Sequence, residues 1–450
     1  MAGQVQFYVN RVHSIGGVTT WSFQAASYMA NRYRTRVVTV NTGAQPTDGE
    51  FPGQVTEVFR DPEDALRVGD DSGNGSTPER PTKPTKTTKP AKPAKKPVKP
   101  TKPVKRPKPV KPAKKPTQPL GAVPSNGSRQ EPAEFTNGAM QSRRQQLHHS
   151  AQQAIESAEL FIPNYLDFAY ELAARSRASG NESRCIGICH CDHDNYYSLL
   201  SRYEPIIHSF IAVSPRCMET LIRRLPEREP DIHLVPYGVE SPVEAPIDTY
   251  HGPIRLLYSG RLSQEQKRVF DLIEIVRELD SHRVDYTLDV VGSGPDRESL
   301  IDAFAGAPRV EFHPGVPHTA IAQVYQNHDV FLLPSQTEGT SIALLESMSS
   351  GLVPVATCVS GSEDVIVHGK NGFLCEVADV RAMAQCIAAI AANPVKRIEL
   401  AQQARQTVRQ HYRIVDQLAA FERCVQETLE KPLVSIDAAR SVLGRALRNQ

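Results

Sequence analysis

Glu338 and Glu346 stand eight positions apart in the stretch Glu338-Gly-Thr-Ser-Ile-Ala-Leu-Leu-Glu346, just after the apolar run Val330 to Leu333 and Pro334-Ser335. On one continuous helix such a spacing means about 12 Å in height and about 80° in direction, so the two carboxylates cannot work as a close acid/base pair. They can hold the two ends of one long ligand. If a helix begins near Ser341, Glu338 lies in the loop before it and Glu346 a turn or more inside. The free amides of Gly339, Thr340 and Ser341 then form an anion site at the positive end of the helix. One carboxylate for sugar hydroxyls, amides for phosphate and a second carboxylate for ribose hydroxyls would suit a nucleotide diphosphate sugar. For the spacing alone, two surface glutamates flanking a helix start are the plain alternative.

A second constellation, Ser259-Gly-Arg261-Leu-Ser-Gln-Glu-Gln-Lys267-Arg268, runs from a strand end into the first turn of a helix. Cations there oppose the helix dipole by about 0.3–1 kcal/mol each, so an anionic ligand would account for Arg261 and Lys267 where local structure does not. Arg would offer a planar fork to a diphosphate and Lys a point charge. Solvated surface cations are the alternative. Three other groups look like known sites. Cys185, Cys189, His190, Cys191 and His193 do not have a standard metal-ligand spacing and read as small core residues around a strand end. Asp192-His-Asp194 imitates a cation-binding Asp-x-Asp but reads as helix capping or a polar cleft wall. Gly292-Ser-Gly294 follows a strand yet lacks the third glycine of a dinucleotide fingerprint and reads as a turn. No metal site is expected.

The elements that must position these residues alternate. Val5 to Val9 is a strand, Gly16-Gly17 a turn, Thr19 to Arg34 a helix and Arg36 to Val40 a strand, and Val55 to Phe59 reads as a third run. After a polar helix near 141–157, strands are expected at 158–162, 185–189, 207–213 and 233–235, with helices between. A second alternating unit has strands at 254–258, 286–291, 310–312, 330–333 and 353–356, and helices at 264–279, 297–304, 319–326 and 341–349. Strands separated by crossover helices argue for an α/β chain with two doubly wound parallel sheets, whose ligands lie beyond the C-terminal strand ends. The domain reading is 1–60 with 139–240, an insertion at 61–138, a linker at 241–253, a second domain at 254–430, and a tail at 431–450 that could form an amphipathic helix.

The chain's 450 residues carry 52 Lys/Arg and 50 Asp/Glu, but this balance is a cancellation. Residues 80–115 hold 15 of the basic residues and no acidic one, which leaves 37 basic against 50 acidic elsewhere, a net of −13. Ten prolines between Pro81 and Pro112 alternate with these lysines, so the insertion is expected to be disordered and extended. It reads as solvated low complexity, or as a contact for anionic lipid or a polyanion. With no aromatic residue for base stacking, nucleic acid is disfavoured as a partner. The length excludes a peptide or a single small binding module. The eight dispersed cysteines read as mostly reduced, no run is apolar enough to span a bilayer, and the N-terminus turns polar too early for a signal peptide. The expected place is the cytoplasm, with a peripheral position at the inner face of the membrane open through the basic tract.

In this order of motifs the chain resembles the GT-B nucleotide-sugar glycosyltransferases, specifically the retaining family called GT4. The carriers are Gly16-Gly17, SGRLSQEQKR at 259–268, VVGSGP at 290–295, VEFHPGV at 310–316, DVFLLPSQTEGTSIALLESMSSGLVPVAT at 329–357 and GKNGFLCEVAD at 369–379. The resemblance implies two Rossmann-like domains facing a cleft. It implies transfer of a sugar, with retention, from a nucleotide diphosphate sugar to a hydroxyl of a glycan or lipid-linked acceptor, without a cofactor or metal. Arg261 and Lys267 would bind the diphosphate, Glu338 the sugar hydroxyls and Glu346 the ribose. Gly16 and Gly17 would let the first loop approach the reaction centre, and His190 matches the position whose histidine faces the donor sugar. A sugar-nucleotide epimerase of the same fold, or a non-catalytic protein that binds polyanions or membranes through a GT-B body, are the alternatives.

Overall fold

The structure, a computed structural model, describes residues 4–10, 17–30, 32–40, 158–240, 247 and 252–446. Gly16, the run at 55–59, the helix near 141–157 and the whole Lys/Pro tract lie outside these residues. The first part of the described chain contains β1 (Gln4–Asn10), α1 (Gly17–Met29), β2 (Arg34–Val40), β3 (Leu160–Ile162), α2 (Asp167–Ala178), β4 (Arg184–Cys189), α3 (Asp194–Tyr203), β5 (Ser209–Ala212), α4 (Pro215–Arg224) and β6 (Ile232–Leu234). These strands make one parallel sheet in the order β2-β1-β3-β4-β5-β6.

The second part contains β7 (Ile254–Ser259), α5 (Gln264–Lys267), α6 (Asp271–Ser281), β8 (Tyr286–Val291), α7 (Arg297–Ala303), β9 (Val310–His313), α8 (His318–Gln326), β10 (Val330–Leu333), α9 (Ile342–Ser350), β11 (Val353–Thr357), α10 (Ser362–Val365) and β12 (Phe373–Cys375). Its sheet runs β12-β11-β10-β7-β8-β9, again parallel. Every residue of β10 and β11 is buried, as expected where helices cover both faces of a parallel sheet and the strands become continuous apolar runs. The two doubly wound sheets are as the sequence predicts. Each reverses its winding once: between β1 and β3 in the first, and between β7 and β10 in the second. Such switch points open a crevice at the C-terminal strand ends.

Two expectations need correction. The helix predicted over 264–279 is broken. Arg268 takes a left-handed conformation (φ 50°, ψ 45°) that caps the single turn α5, and its guanidinium closes on Asp271 at 2.8 and 3.1 Å. The side-chain oxygen of Gln264 accepts the Phe270 N–H at 2.9 Å. Lys267 therefore ends a short turn instead of lying inside a long helix.

The second correction concerns residues 414–430, assigned by sequence to the second domain. After α11 (Val380–Ala392) and α12 (Pro394–His411), the chain returns to the first sheet as α13 (Ile414–Glu430) and α14 (Ile436–Ala446). The crossing is made of main chain: Val239 N–H donates to Tyr412 C=O at 2.9 Å and Ile414 N–H to Val239 C=O at 3.1 Å. Phe421 then packs against Trp21 and Phe7 with ring centroids 5.0 and 6.0 Å apart. Thr428 donates to Ser209 at 2.7 Å, and Lys431 reaches Asp231 at 2.6 Å. An apolar stripe on a helix shows that the helix is covered but not which sheet covers it. The tail helix α14 also docks on the body, with Ala439 and Val442 buried in the core under α2. Among the described residues no helix is long and apolar enough to cross a membrane.

Candidate active site

Two of the residues singled out by sequence, Lys267 and Glu338, meet beside the switch point of the second sheet. After β7 and β8 the chain makes two turns that lie main chain against main chain. Leu262 N–H donates to Ser293 C=O at 2.8 Å, and a Cβ on Gly292 would sit 2.0 Å from the Gly260 carbonyl oxygen. No side chain fits there, which explains a glycine turn without any dinucleotide. This turn sets the exit of β7 and so the path of 261–267. Arg261 is exposed and forms no ion pair with any described residue.

Lys267, from the end of α5, meets Glu338, from the loop after β10. Its Nζ lies 2.5 Å from Glu338 Oε1, with the two side chains 17% and 6% exposed. The Ser335 hydroxyl donates to the same oxygen at 2.6 Å. The two segments are also joined by main chain, Gln336 N–H to Gln266 C=O at 2.8 Å. The sequence reading gave the lysine to phosphate and the glutamate to sugar. The structure places them side by side, at the crevice between β7 and β10.

Ser341 caps α9, its hydroxyl accepting the Leu344 N–H at 3.4 Å. The main-chain N–H groups of Gly339, Thr340 and Ser341 donate to none of the described residues, so the free amides expected at this helix start are present. The same loop is docked on the first sheet. Asp192 N–H donates to Glu338 C=O at 2.9 Å, and a Cβ on Gly339 would lie 2.3 Å from the His190 carbonyl oxygen. The Thr340 hydroxyl donates to Val213 C=O. Across the same seam Ser214 and Ser360 are hydrogen-bonded at 2.7 Å, and Arg216 meets Glu363 at 2.5 Å.

Glu346 lies further inside α9. It has two partners that the spacing did not reveal, His318 Nε2 at 2.7 Å and the Tyr325 hydroxyl at 3.2 Å, both from α8. Hydrogen bonding to Glu346 raises the His318 pKa above its ordinary value. A group whose pKa is raised in the folded state contributes stability that is complete below its unfolded pKa, about 6.5, and lost as pH rises through the folded value. The melting-temperature gap between the wild type and His318→Gln is therefore expected to be widest below about pH 6.5 and to narrow toward alkaline pH. A gap that widens with pH would contradict this pairing.

His190 is buried at the end of β4 with both ring nitrogens engaged: Nε2 faces Asn164 Oδ1 at 3.0 Å and Nδ1 meets the Tyr237 hydroxyl. Burial pushes its pKa down to about 3. Asn164 and Tyr237 carried no sequence signal. Gly17 opens α1 beside β1. The lookalikes have structural tasks. Cys185 and Cys189 are core residues, Asp192 accepts from Tyr197 at 2.6 Å, Asp194 pairs with Arg224 and His193 caps α3. Among the described residues the group that could gather three ligand atoms is Asp289, Glu311 and His313 on β8 and β9, where His328 holds Asp289 at 3.0 Å.

Residues 243–409 match the family described as Glycosyl transferases group 1. The chain is 27% identical over 187 residues to the GtfA subunit of the UDP-N-acetylglucosamine--peptide N-acetylglucosaminyltransferase of Streptococcus pneumoniae, covering 40% of this chain and 36% of that protein. It is 30% identical over 159 residues to the glycogen synthase of Mycobacterium tuberculosis, covering 34% and 38%. The chain thus spans little more than a third of the length of these relatives. The structure of HepE from Anabaena in complex with UDP-glucose superposes with a TM-score of 0.61 at 14% identity, over 94% of this chain and 99% of that one. The lipopolysaccharide outer core galactosyltransferase WaaB gives 0.56 at 18% identity, over 94% and 99%. The chain therefore has the GT-B fold of nucleotide-sugar glycosyltransferases, with the group 1 similarity carried by its second sheet and the helices that follow.

Proposed function

We propose that the chain is a retaining glycosyltransferase of the GT4 type, moving a sugar from a nucleotide diphosphate sugar to a hydroxyl of a glycan or lipid-linked acceptor. The observation that carries this reading is the meeting of Lys267 and Glu338 at 2.5 Å in the β7/β10 crevice, beside unpaired amides at the start of α9. Lys267, Arg261 and these amides take the diphosphate, Glu338 the sugar hydroxyls and Glu346 the ribose. The bond from the anomeric carbon to the phosphate oxygen breaks, and the acceptor oxygen bonds to that carbon on the same face. The acceptor proton passes to the departing phosphate. Fixed cations and amides facing the charge as it develops supply the main catalytic effect. Protein groups fill the role that a divalent ion plays elsewhere, so the reaction is proposed to be metal-independent.

Because proteins of this fold have been captured with UDP and UDP-glucose, uridine diphosphate sugars are the first donors to test. A donor that binds the folded state stabilises it by mass action, by about 2.7 kcal/mol at a concentration one hundred times Kd, and so raises its melting temperature. One nucleotide sugar in a panel is expected to do so and to be consumed when an acceptor is added, with EDTA present. A panel with no stabilising member would refute the assignment. Conversion of donor alone to an epimer would favour the epimerase. The basic tract at 80–115 is proposed to hold the enzyme to an anionic surface. Its deletion should leave transfer to a small soluble acceptor intact and abolish sedimentation with phosphatidylserine vesicles; loss of soluble activity would contradict a tethering role.

A further inference from the structure

The histidine at the end of β4 is clamped on both sides of its ring. Asn164, two residues past β3, is fully buried and takes a left-handed conformation with φ 55°, which asparagine tolerates better than most residues. Its Nδ2 faces two acceptors, the Tyr8 carbonyl at 2.8 Å and Ser22 Oγ at 3.3 Å. The Ser22 hydroxyl proton is already given to Val18 C=O at 2.8 Å. The amide cannot be reversed without setting its oxygen against the Tyr8 carbonyl, so Oδ1 must be the atom that faces His190. A lone pair there requires the proton on His190 Nε2. That leaves Nδ1 as acceptor for the Tyr237 hydroxyl.

The rest of the ring's surroundings agree. Trp21 and Tyr196 meet it edge-on with centroids 6.1 Å away, and Tyr237 stacks at 6.2 Å. Burial holds the Tyr196 and Tyr237 phenols well above their ordinary pKa, so none of the described groups on the ring is ionised at neutral pH. Burial likewise disfavours the imidazolium. Both ring nitrogens are used internally. What His190 offers toward Glu338 and Gly339 is main chain: its carbonyl lies against Gly339, and two residues on, the Asp192 N–H holds the Glu338 carbonyl at 2.9 Å.

We infer that Asn164 and Tyr237 are positioning residues: they lock His190 as the neutral Nε2–H tautomer, so that its ring anchors the 190–192 main chain on which the Glu338–Gly339 loop is seated. The ring itself exchanges no proton with substrate. This rests in part on the proposed transfer activity, so one arm of the test is independent of it. In the full chain labelled with nitrogen-15 histidine, with the His190→Gln variant identifying the signal, the His190 ring is expected to keep one neutral Nε2–H form between about pH 5 and pH 8, where a free imidazole would titrate. Titration in that interval, or the proton on Nδ1, would overturn the inference whatever reaction the protein performs. In the kinetic arm, Tyr237→Phe removes one oxygen; turnover is expected to fall about tenfold while donor KM stays within about twofold, as for a displaced reaction geometry. Unchanged turnover, or a donor KM that rises in step with the loss, would overturn it. If no nucleotide sugar is turned over, only the function proposal fails, and the nitrogen-15 spectrum still decides this one.

Discussion

Lys267→Ala is expected to lower sugar transfer by about 10²–10³-fold, the loss typical when one fixed group that stabilises transition-state charge is removed. Two effects must be separated. The variant lacks the ammonium proposed to face the diphosphate, and among the described residues it leaves the Glu338 carboxylate, 6% exposed, with the Ser335 hydroxyl as its remaining partner. Breaking a buried pair on one side costs about 3 kcal/mol or more, so the melting temperature should fall too. The double variant Lys267→Ala/Glu338→Gln removes the orphaned charge. Its melting temperature should recover much of the loss while transfer stays lowered at least as far. Calorimetry together with initial rates on the best donor reads both. Transfer that returns with stability would mean the lysine acts through folding alone, and the assignment of Lys267 to the donor would be lost.

Gly361→Ala should be the most damaging of the glycine substitutions at the seam. Gly361 has φ +78°, and an added Cβ would lie 1.5 Å from the Gly339 carbonyl oxygen and 3.0 Å from Thr340 Cα. Neither obstacle is a movable side-chain end, so the loop carrying Glu338 must shift. Gly369 is the control, with φ +76° and nothing within 4 Å of an added Cβ. There alanine meets only backbone strain, about 1–3 kcal/mol. For Gly361→Ala the same strain is joined by a displacement of the Glu338 loop, and if that loop is catalytic as proposed, an error of about 1 Å can cost about 100-fold in rate. Turnover and melting temperature of the two variants, measured side by side, test the argument. Equal behaviour would show that the contact between Gly361 and Gly339 does not set the site.

These expectations draw on residues of different legibility. Ser341 as the cap of α9, the glycine turn at 292–294 and the burial of β10 follow from short-range rules, because capping, tight turns and apolar runs depend on a few consecutive residues. Lys267 and Glu338 could be picked out as types suited to an anionic sugar ligand. Their contact could not, because it depends on the break at Arg268 that ends α5 one residue after the lysine. A left-handed arginine with its side chain turned onto Asp271 competes with helix continuation, and that outcome is settled by packing.

The histidine shows the same division from the other side. His190 could be located from its place after an apolar strand. Its ring partners could not, because Asn164 and Tyr237 lie 26 and 47 positions away in the chain. Glu346 likewise meets His318 and Tyr325 from the preceding helix.

By itself the amino-acid sequence determined two alternating α/β units, the position of most of their strands, the helix start that leaves amides free, and the residue types that suggest a diphosphate sugar. All of these rest on periodicity or on neighbours within about one turn or one strand. Tertiary structure alone decided that β7 and β10 become neighbours at a switch point, that α13 returns to the first sheet through Val239 and Ile414, and which partner each buried polar group obtained. Those outcomes depend on which surfaces meet when both sheets are covered and every buried donor must find an acceptor. Sequence spacing carries no record of that meeting.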